Sequence, residues 1–235
     1  MSFIANIGKG FINFIAPKYC LVCNAPIPEN GQTSYICDEC YHNMPFAPQS
    51  EAIIDRMFEI WNADDIAISK ICSLISVKDE KYMNLIHSLK YYSLKNIGIE
   101  LGKLLGNRLL QEEMNEYEAI IPVPIHKTKE RERGYNQSHF IVKGISEVLN
   151  IPPNYKMVQR KIYTQTQTAL NTEQRKSNVE HIFEINREIN KQEIINKPFL
   201  IVDDVFTTGS TLNSLATTLL DAGARKIDCA TLGVA

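Results

Sequence analysis

Two adjacent carboxylates, Asp203 and Asp204, stand just ahead of a hydroxyl-rich turn, Thr207-Thr208-Gly209-Ser210-Thr211. Together they suit a phosphorylated sugar. Carboxylates accept hydrogen bonds from sugar hydroxyls, and threonine and serine hydroxyls donate to phosphate oxygens. Gly209 lets the backbone come close and take up a turn conformation. The apolar run Phe199-Leu200-Ile201-Val202 before the pair reads as a buried strand. Leu212, Leu215, Ala216, Leu219 and Leu220 after it read as one helical stripe, ended by Gly223. Ligands of open α/β sheets bind beyond the carboxyl ends of the strands, and a helix N-terminus offers free N–H groups to a phosphate. A helix cap rich in Ser and Thr after an acidic turn explains any one of these residues, but not the whole string.

A second polar stretch follows another strand-like run. Ala119-Ile120-Ile121-Pro122-Val123-Pro124 leads into His126-Lys127-Thr128-Lys129-Glu130-Arg131-Glu132-Arg133-Gly134-Tyr135-Asn136-Gln137. A helical stripe at Phe140, Ile141, Ile145, Val148 and Leu149 comes next. A basic, glycine-containing loop here suits a diphosphate, which Arg131 and Arg133 could grip bidentately. Glu130 and Glu132 interrupt the positive charge, so a solvated loop is the competing reading.

Four of the six cysteines form the pairs Cys20-x-x-Cys23 and Cys37-x-x-Cys40, with residues 24–36 between them. Four thiolates at this spacing make a tetrahedral site that favours zinc, closed and therefore structural. A hairpin between the pairs is expected to bring them together. A redox dithiol and two unrelated pairs are the rivals. His42 is surplus to a four-cysteine site. Cys72 and Cys229 lie in apolar runs and read as core thiols.

These groups need a scaffold. Hydrophobic residues make up 44% and charged residues 22% of the chain, enough apolar content for a packed globular core. The net charge of −2 gives no global field toward nucleic acid or membrane, so such binding would need a local patch. The expected organisation is an N-terminal helix and four-cysteine module at residues 1–48, a connector at 49–65 holding the only tryptophan, Trp61, and a main domain at 66–235. Ile66 to Val77 is β-rich. Met83, Ile86 and Leu89, then Ile97, Leu101, Leu104, Leu105 and Leu109, give helical periods, and Ile227 to Val234 a last strand. Strands alternating with helices imply a mostly parallel sheet flanked by helices. Ile4, Ile7, Phe11, Phe14 and Ile15 fit a short amphipathic helix packing on its own protein, or a peripheral membrane contact. No apolar stretch reaches the ~20 residues of a span, and no signal peptide is recognisable, so a cytoplasmic location is expected.

The segment 199–211 resembles the signature of the type I phosphoribosyltransferases, which bind phosphoribosyl pyrophosphate (PRPP). Pro122-Val123-Pro124 with Arg131-Glu132-Arg133-Gly134-Tyr135-Asn136-Gln137 is similar to the signature of the ComF subgroup, associated with competence for DNA uptake. Gln167-Thr168-Ala169-Leu170, Arg175 and Asn178-Val179, and the N-terminal four-cysteine unit, agree with it. The resemblance implies a type I phosphoribosyltransferase fold with a small zinc ribbon-like module. It implies ribose hydroxyls on Asp203 and Asp204, the 5′-phosphate in the loop Thr207 to Thr211, and a lid carrying Gln167, Arg175 and Asn178. Zinc on Cys20, Cys23, Cys37 and Cys40, and Mg²⁺ arriving with PRPP, complete the expected cofactors.

If the protein is catalytic, an acceptor that the sequence does not name displaces pyrophosphate at the anomeric carbon. Asp203, Asp204 and Arg133 would be the catalytic group, with Arg131 and Gly134 helping to bind PRPP. Ile66–Val77 would help build the hood over the acceptor. The other reading is a non-catalytic factor that handles single-stranded DNA or contacts the competence machinery, with the PRPP site as sensor or relic. Lys127, Lys129, Arg131, Arg133, Arg160, Lys161, Arg175 and Lys176 would then line a positive groove.

Overall fold

The computed structural model of the chain describes residues 18–78, 80–90, 95–161 and 182–235. The expected N-terminal helix and the lid residues Gln167, Arg175 and Asn178 lie outside these residues. Four parallel strands form the central sheet: β1 (Ile71–Ser76), β2 (Ala119–Pro122), β5 (Pro198–Phe206) and β6 (Lys226–Val234), in the order β1-β6-β5-β2. A short antiparallel ribbon pairs β3 (Val158–Arg160) with β4 (Phe183–Ile185).

The sheet is covered on both sides, which is why its strands read as continuous apolar runs. Alternate residues of β5 face opposite cores. Leu200 and Val202 pack with α3 (Glu80–His87), α4 (Lys95–Gln111) and α6 (Gln137–Leu149). Phe199 and Ile201 pack with α2 (Ser50–Ile60), α7 (Ser210–Asp221) and the β3–β4 ribbon. Helices α4 and α6 approach closely because glycines line their contact. A Cβ at Gly102 would meet the Ile141 carbonyl, and one at Gly144 the Ile99 carbonyl.

The cysteine unit is built into this body. The first pair sits in a turn closed by Cys20 N–H to the Ala25 carbonyl (2.8 Å) and by a bridge between Tyr19 and Pro26. The second pair opens α1 (Asp38–His42), with Cys37 as N-cap. A tight turn and a helix start, rather than one hairpin, therefore bring the four sulfurs together. Ile36, Cys37, Cys40 and Met44 share a core with Leu74 and Ile86. Tyr82 Oη donates to the Cys40 carbonyl (2.8 Å), and Phe46 bridges Ile75 on the edge of β1.

Three expectations change. Asp203 and Asp204 lie inside β5, not past its end, because pairing with β6 continues to Phe206↔Val234. The basic stretch is a short helix, α5 (Lys127–Arg133), followed by a tight link. His126 caps its start, and Arg131 and Arg133 in its last turn complement the helix dipole. Ile71–Ser76 is a buried strand of the central sheet rather than part of a hood. Among the described residues no helix is long and apolar enough to cross a membrane.

Candidate functional site

The carboxyl end of β5 carries the acidic pair and α7 starts just beyond it. Gly209 caps α7 at φ 76°, a left-handed conformation that favours glycine. A Cβ there would also press on the Phe206 ring at 2.9 Å and Met57 Cε at 3.1 Å. Thr207 and Thr208 are exposed, and Ser210 and Thr211 are partly exposed. The first N–H groups of α7 have no partner within the helix. They border a recess of 40 Å³ lined by Asp203, Thr207, Gly209, Ser210 and Thr211, with Val205, Phe206 and Leu212 behind.

The loop is held from outside. Trp61 Nε1 donates to the Thr208 carbonyl at 2.9 Å. Asn213 on α7 accepts from Ala67 N–H (2.8 Å) and donates to the Asp65 carbonyl (2.6 Å). The segment after α2 is thus pinned to the start of α7.

On the neighbouring strand, the link between α5 and α6 is anchored at each residue. Gly134 ends α5 at φ 75°. Tyr135 Oη donates to the Leu89 carbonyl. Asn136 caps α6 through Ser138 N–H (3.1 Å) and donates to the Val123 carbonyl (2.9 Å). The next two side chains reach the acidic pair. Ser138 Oγ donates to Asp203 Oδ1 at 3.3 Å, and Gln137 Nε2 to Asp204 Oδ2 at 3.1 Å. Gln137 Oε1 in turn accepts from Arg133 Nη1 at 2.6 Å.

Burial, then the neighbouring charge of Asp204, pushes the Asp203 carboxyl up to about 7. The Asp204 N–H, Ser138 and the charge of Arg160 act in the opposite direction. Two adjacent carboxylates with few donors are an electrostatic cost that sugar hydroxyls or a cation would relieve.

Arg133, Asp203, Asp204 and the Thr207–Thr211 loop therefore cluster at one end of the sheet, with exposed Gly134 beside them. Arg131 does not join the acidic pair. It lines a separate basic recess of 290 Å³ with His126, Lys127, Thr128, Arg160 and Lys161. Sequence reasoning missed Gln137, Ser138, Trp61 and Asn213 as site residues. Only the place of Gln137 directly after the arginine–glycine turn was a signal.

The four cysteine sulfurs of the N-terminal unit lie within 4.8 Å of one another, with Cys23 and Cys37 Sγ 3.6 Å apart. Zinc–sulfur bonds of about 2.3 Å in a tetrahedron separate sulfurs by roughly 3.8 Å, so the donor set fits zinc. Burial raises the Cys20 thiol, but N–H groups of Cys37, Cys23 and Val22 outweigh it and bring it down to about 7. His42 Nδ1 lies 2.6 Å from the Asp38 carbonyl, so that ring nitrogen is engaged within its own helix. Cys72 and Cys229 are buried in the core.

A parallel sheet flanked by helices, with an acidic pair and a hydroxyl-rich helix start at one strand end, defines a type I phosphoribosyltransferase fold. Residues 140–233 match the phosphoribosyl transferase domain family. The chain is 37% identical over 110 residues to competence protein F of Haemophilus influenzae, covering 47% of each chain. It is 31% identical over 147 residues to DNA utilization protein YhgH of Escherichia coli K12, covering 61% of this chain and 63% of that one. Competence protein ComFC of Bacillus subtilis is 25% identical over 209 residues, covering 88% of this chain and 79% of that one. The first two alignments span about half to two thirds of the relatives' length. The chain is thus similar over part of its length to ComF-type competence and DNA utilization proteins, and its residues 140–233 carry a phosphoribosyl transferase domain.

Proposed function

We propose that the protein binds PRPP at the carboxyl end of β5 and acts in competence-linked DNA uptake in the cytoplasm. One observation supports the reading: Asp203 and the residues that open α7 line one small recess, with Asp204 next to it on the same strand end. Asp203 and Asp204 take the ribose hydroxyls, and Thr207, Thr208, Gly209, Ser210 and Thr211 take the 5′-phosphate. Arg133 faces the diphosphate, with Gly134 giving it room. Mg²⁺ would arrive with PRPP, with Asp203 and Asp204 as the carboxylates at hand, and would offset the charge of the diphosphate, since it prefers phosphates and few protein ligands. In a transferase reaction the acceptor displaces pyrophosphate at the anomeric carbon, and Arg133 stabilises the leaving charge. Arg131 contributes from the basic recess. Gln167, Arg175 and Asn178 are proposed as a lid. Zinc on the four cysteines stabilises the N-terminal unit. The domain organisation is proposed as residues 1–48, 49–65 and 66–235.

The test is a thermal-unfolding titration with Mg²⁺–PRPP. At ~100 times its dissociation constant a ligand stabilises by roughly 2.7 kcal/mol. Absence of any upward shift contradicts the reading.

The basic recess supports a second reading, as does the DNA-related naming of the relatives. In it, Lys127, Arg131, Arg160 and Lys161 hold the backbone of single-stranded DNA and the PRPP site is a sensor or relic. Binding of an oligonucleotide would then weaken with salt, by a log–log slope of about −0.7 per phosphate neutralised. A flat salt response rules this reading out.

A further inference from the structure

Gln137 sits between the two charged halves of the proposed site. It is 3% exposed and opens α6. Its amide oxygen faces Arg133, which can only donate, and its amide nitrogen faces Asp204, which as a carboxylate can only accept. Both partners therefore dictate the same orientation of the amide. A neutral spacer has a consequence here. Joined directly, Arg133 and Asp204 would satisfy each other and present little free charge. With an amide between them, each is held by one hydrogen bond. Among the described residues, the remaining guanidinium N–H groups and the other carboxylate oxygen have no further hydrogen-bond partner, which leaves them available to a ligand.

We infer that Gln137 is a positioning residue that holds Arg133 for the diphosphate and Asp204 for the ribose while keeping them from neutralising each other. This rests on the PRPP reading above. The side chain does not itself touch PRPP. It acts by setting the distance and orientation of the two groups that do.

The chemistry separates the substitutions. Gln137→Met keeps the length and removes both hydrogen bonds. Gln137→Glu keeps the shape. As a carboxylate, the glutamate accepts from Arg133 but repels Asp204. As a carboxylic acid it does both jobs of the amide. The charged and titratable groups around this position are Arg133 on α5, Asp203 and Asp204 on β5, Arg160 on β3, and His139 on its own helix. Wild type carries all of them too, so the quantity to follow is the ratio of wild-type to variant affinity.

The experiment is calorimetric titration of the full chain with Mg²⁺–PRPP between pH 6 and 8. At pH 8 both variants should bind at least about tenfold more weakly than wild type, as expected on losing a hydrogen bond to a charged group. For Gln137→Glu that gap should narrow as the pH falls, whereas for Gln137→Met it should stay constant. A purely structural role would give parallel curves. Wild-type-like binding of Gln137→Met, or a gap for Gln137→Glu that ignores pH, overturns the inference while leaving PRPP binding intact. If wild type itself does not bind Mg²⁺–PRPP, the underlying reading fails and the inference with it. Should Gln137→Glu not fold, Gln137→Met alone decides by its affinity at pH 8.

Discussion

The indole N–H of Trp61 donates to the main-chain carbonyl of Thr208 at 2.9 Å. It joins the segment after α2 to the loop proposed to hold the 5′-phosphate. Since α2 also places Met57 Cε 3.1 Å from where a Gly209 Cβ would lie, this helix and its C-terminal extension form the outer wall of the loop.

Trp61 is the only tryptophan in the chain, so its fluorescence should report on the loop alone. Adding Mg²⁺–PRPP is expected to change its intensity or emission maximum in a saturable way. Trp61→Phe keeps most of the packing and loses the hydrogen bond. It should weaken PRPP binding by about 1 kcal/mol, a factor of roughly five. Unchanged affinity would mean that the loop keeps its shape without this contact.

Asp203 gives a pH prediction for the ligand-free protein. Its carboxyl is raised from 3.8 to about 7 in the fold, chiefly by burial and then by Asp204. A raised folded value means that stability is greatest below the unfolded value and is lost as the pH climbs through the folded one. Stability should therefore fall by a few kcal/mol between about pH 4 and pH 7 and then level off. Asp203→Asn should flatten that slope in urea melts taken across the range. Equal slopes in variant and wild type would contradict the burial of this charge.

Much of this was readable in the sequence, and what was not has physical causes. The apolar runs of β2, β5 and β6 and the stripe of α7 stand close to where periodicity puts them, because a sheet covered on both sides leaves a continuous signal. Asp203 and Asp204 read as lying just past the strand because carboxylates are poor strand formers. Pairing of Asp203 with Thr231 on β6 overrides that preference. The basic stretch read as a loop because its charges hide a short helix without an apolar stripe. Arg133 drew attention by its charge, whereas Gln137 did not, because a neutral amide matters only once both partners are placed.

The glycine contact between α4 and α6 makes a third prediction. Gly144→Ala would drive a methyl group into the backbone of α4 at Ile99. With helix backbone rather than a flexible side chain in the way, α6 must shift. The cost should be about 3 kcal/mol or more. Because α6 carries Gln137 and Ser138 at its other end, PRPP affinity should drop along with stability. Equilibrium denaturation that shows less than about 1 kcal/mol would contradict the close approach.

The cysteine unit makes a fourth. Purified protein should contain one zinc per chain, and removing it with a strong chelator should lower the melting temperature. The unit shares its core with Leu74 and Ile86, so the loss should appear in the main unfolding transition. Cys23→Ser is the milder test, since Cys23 is the exposed cysteine of the four. Substoichiometric metal with freely reactive thiols would favour a redox pair instead.

The central claim is that the acidic pair at the end of β5 receives the ribose of PRPP. Calorimetric titration of wild type and Asp204→Asn with Mg²⁺–PRPP tests it most directly. One-to-one binding by wild type is predicted, with at least about tenfold weaker binding by the variant, the loss expected for a charged hydrogen-bond acceptor. Wild type that does not bind, or a variant that binds equally well, would contradict the account.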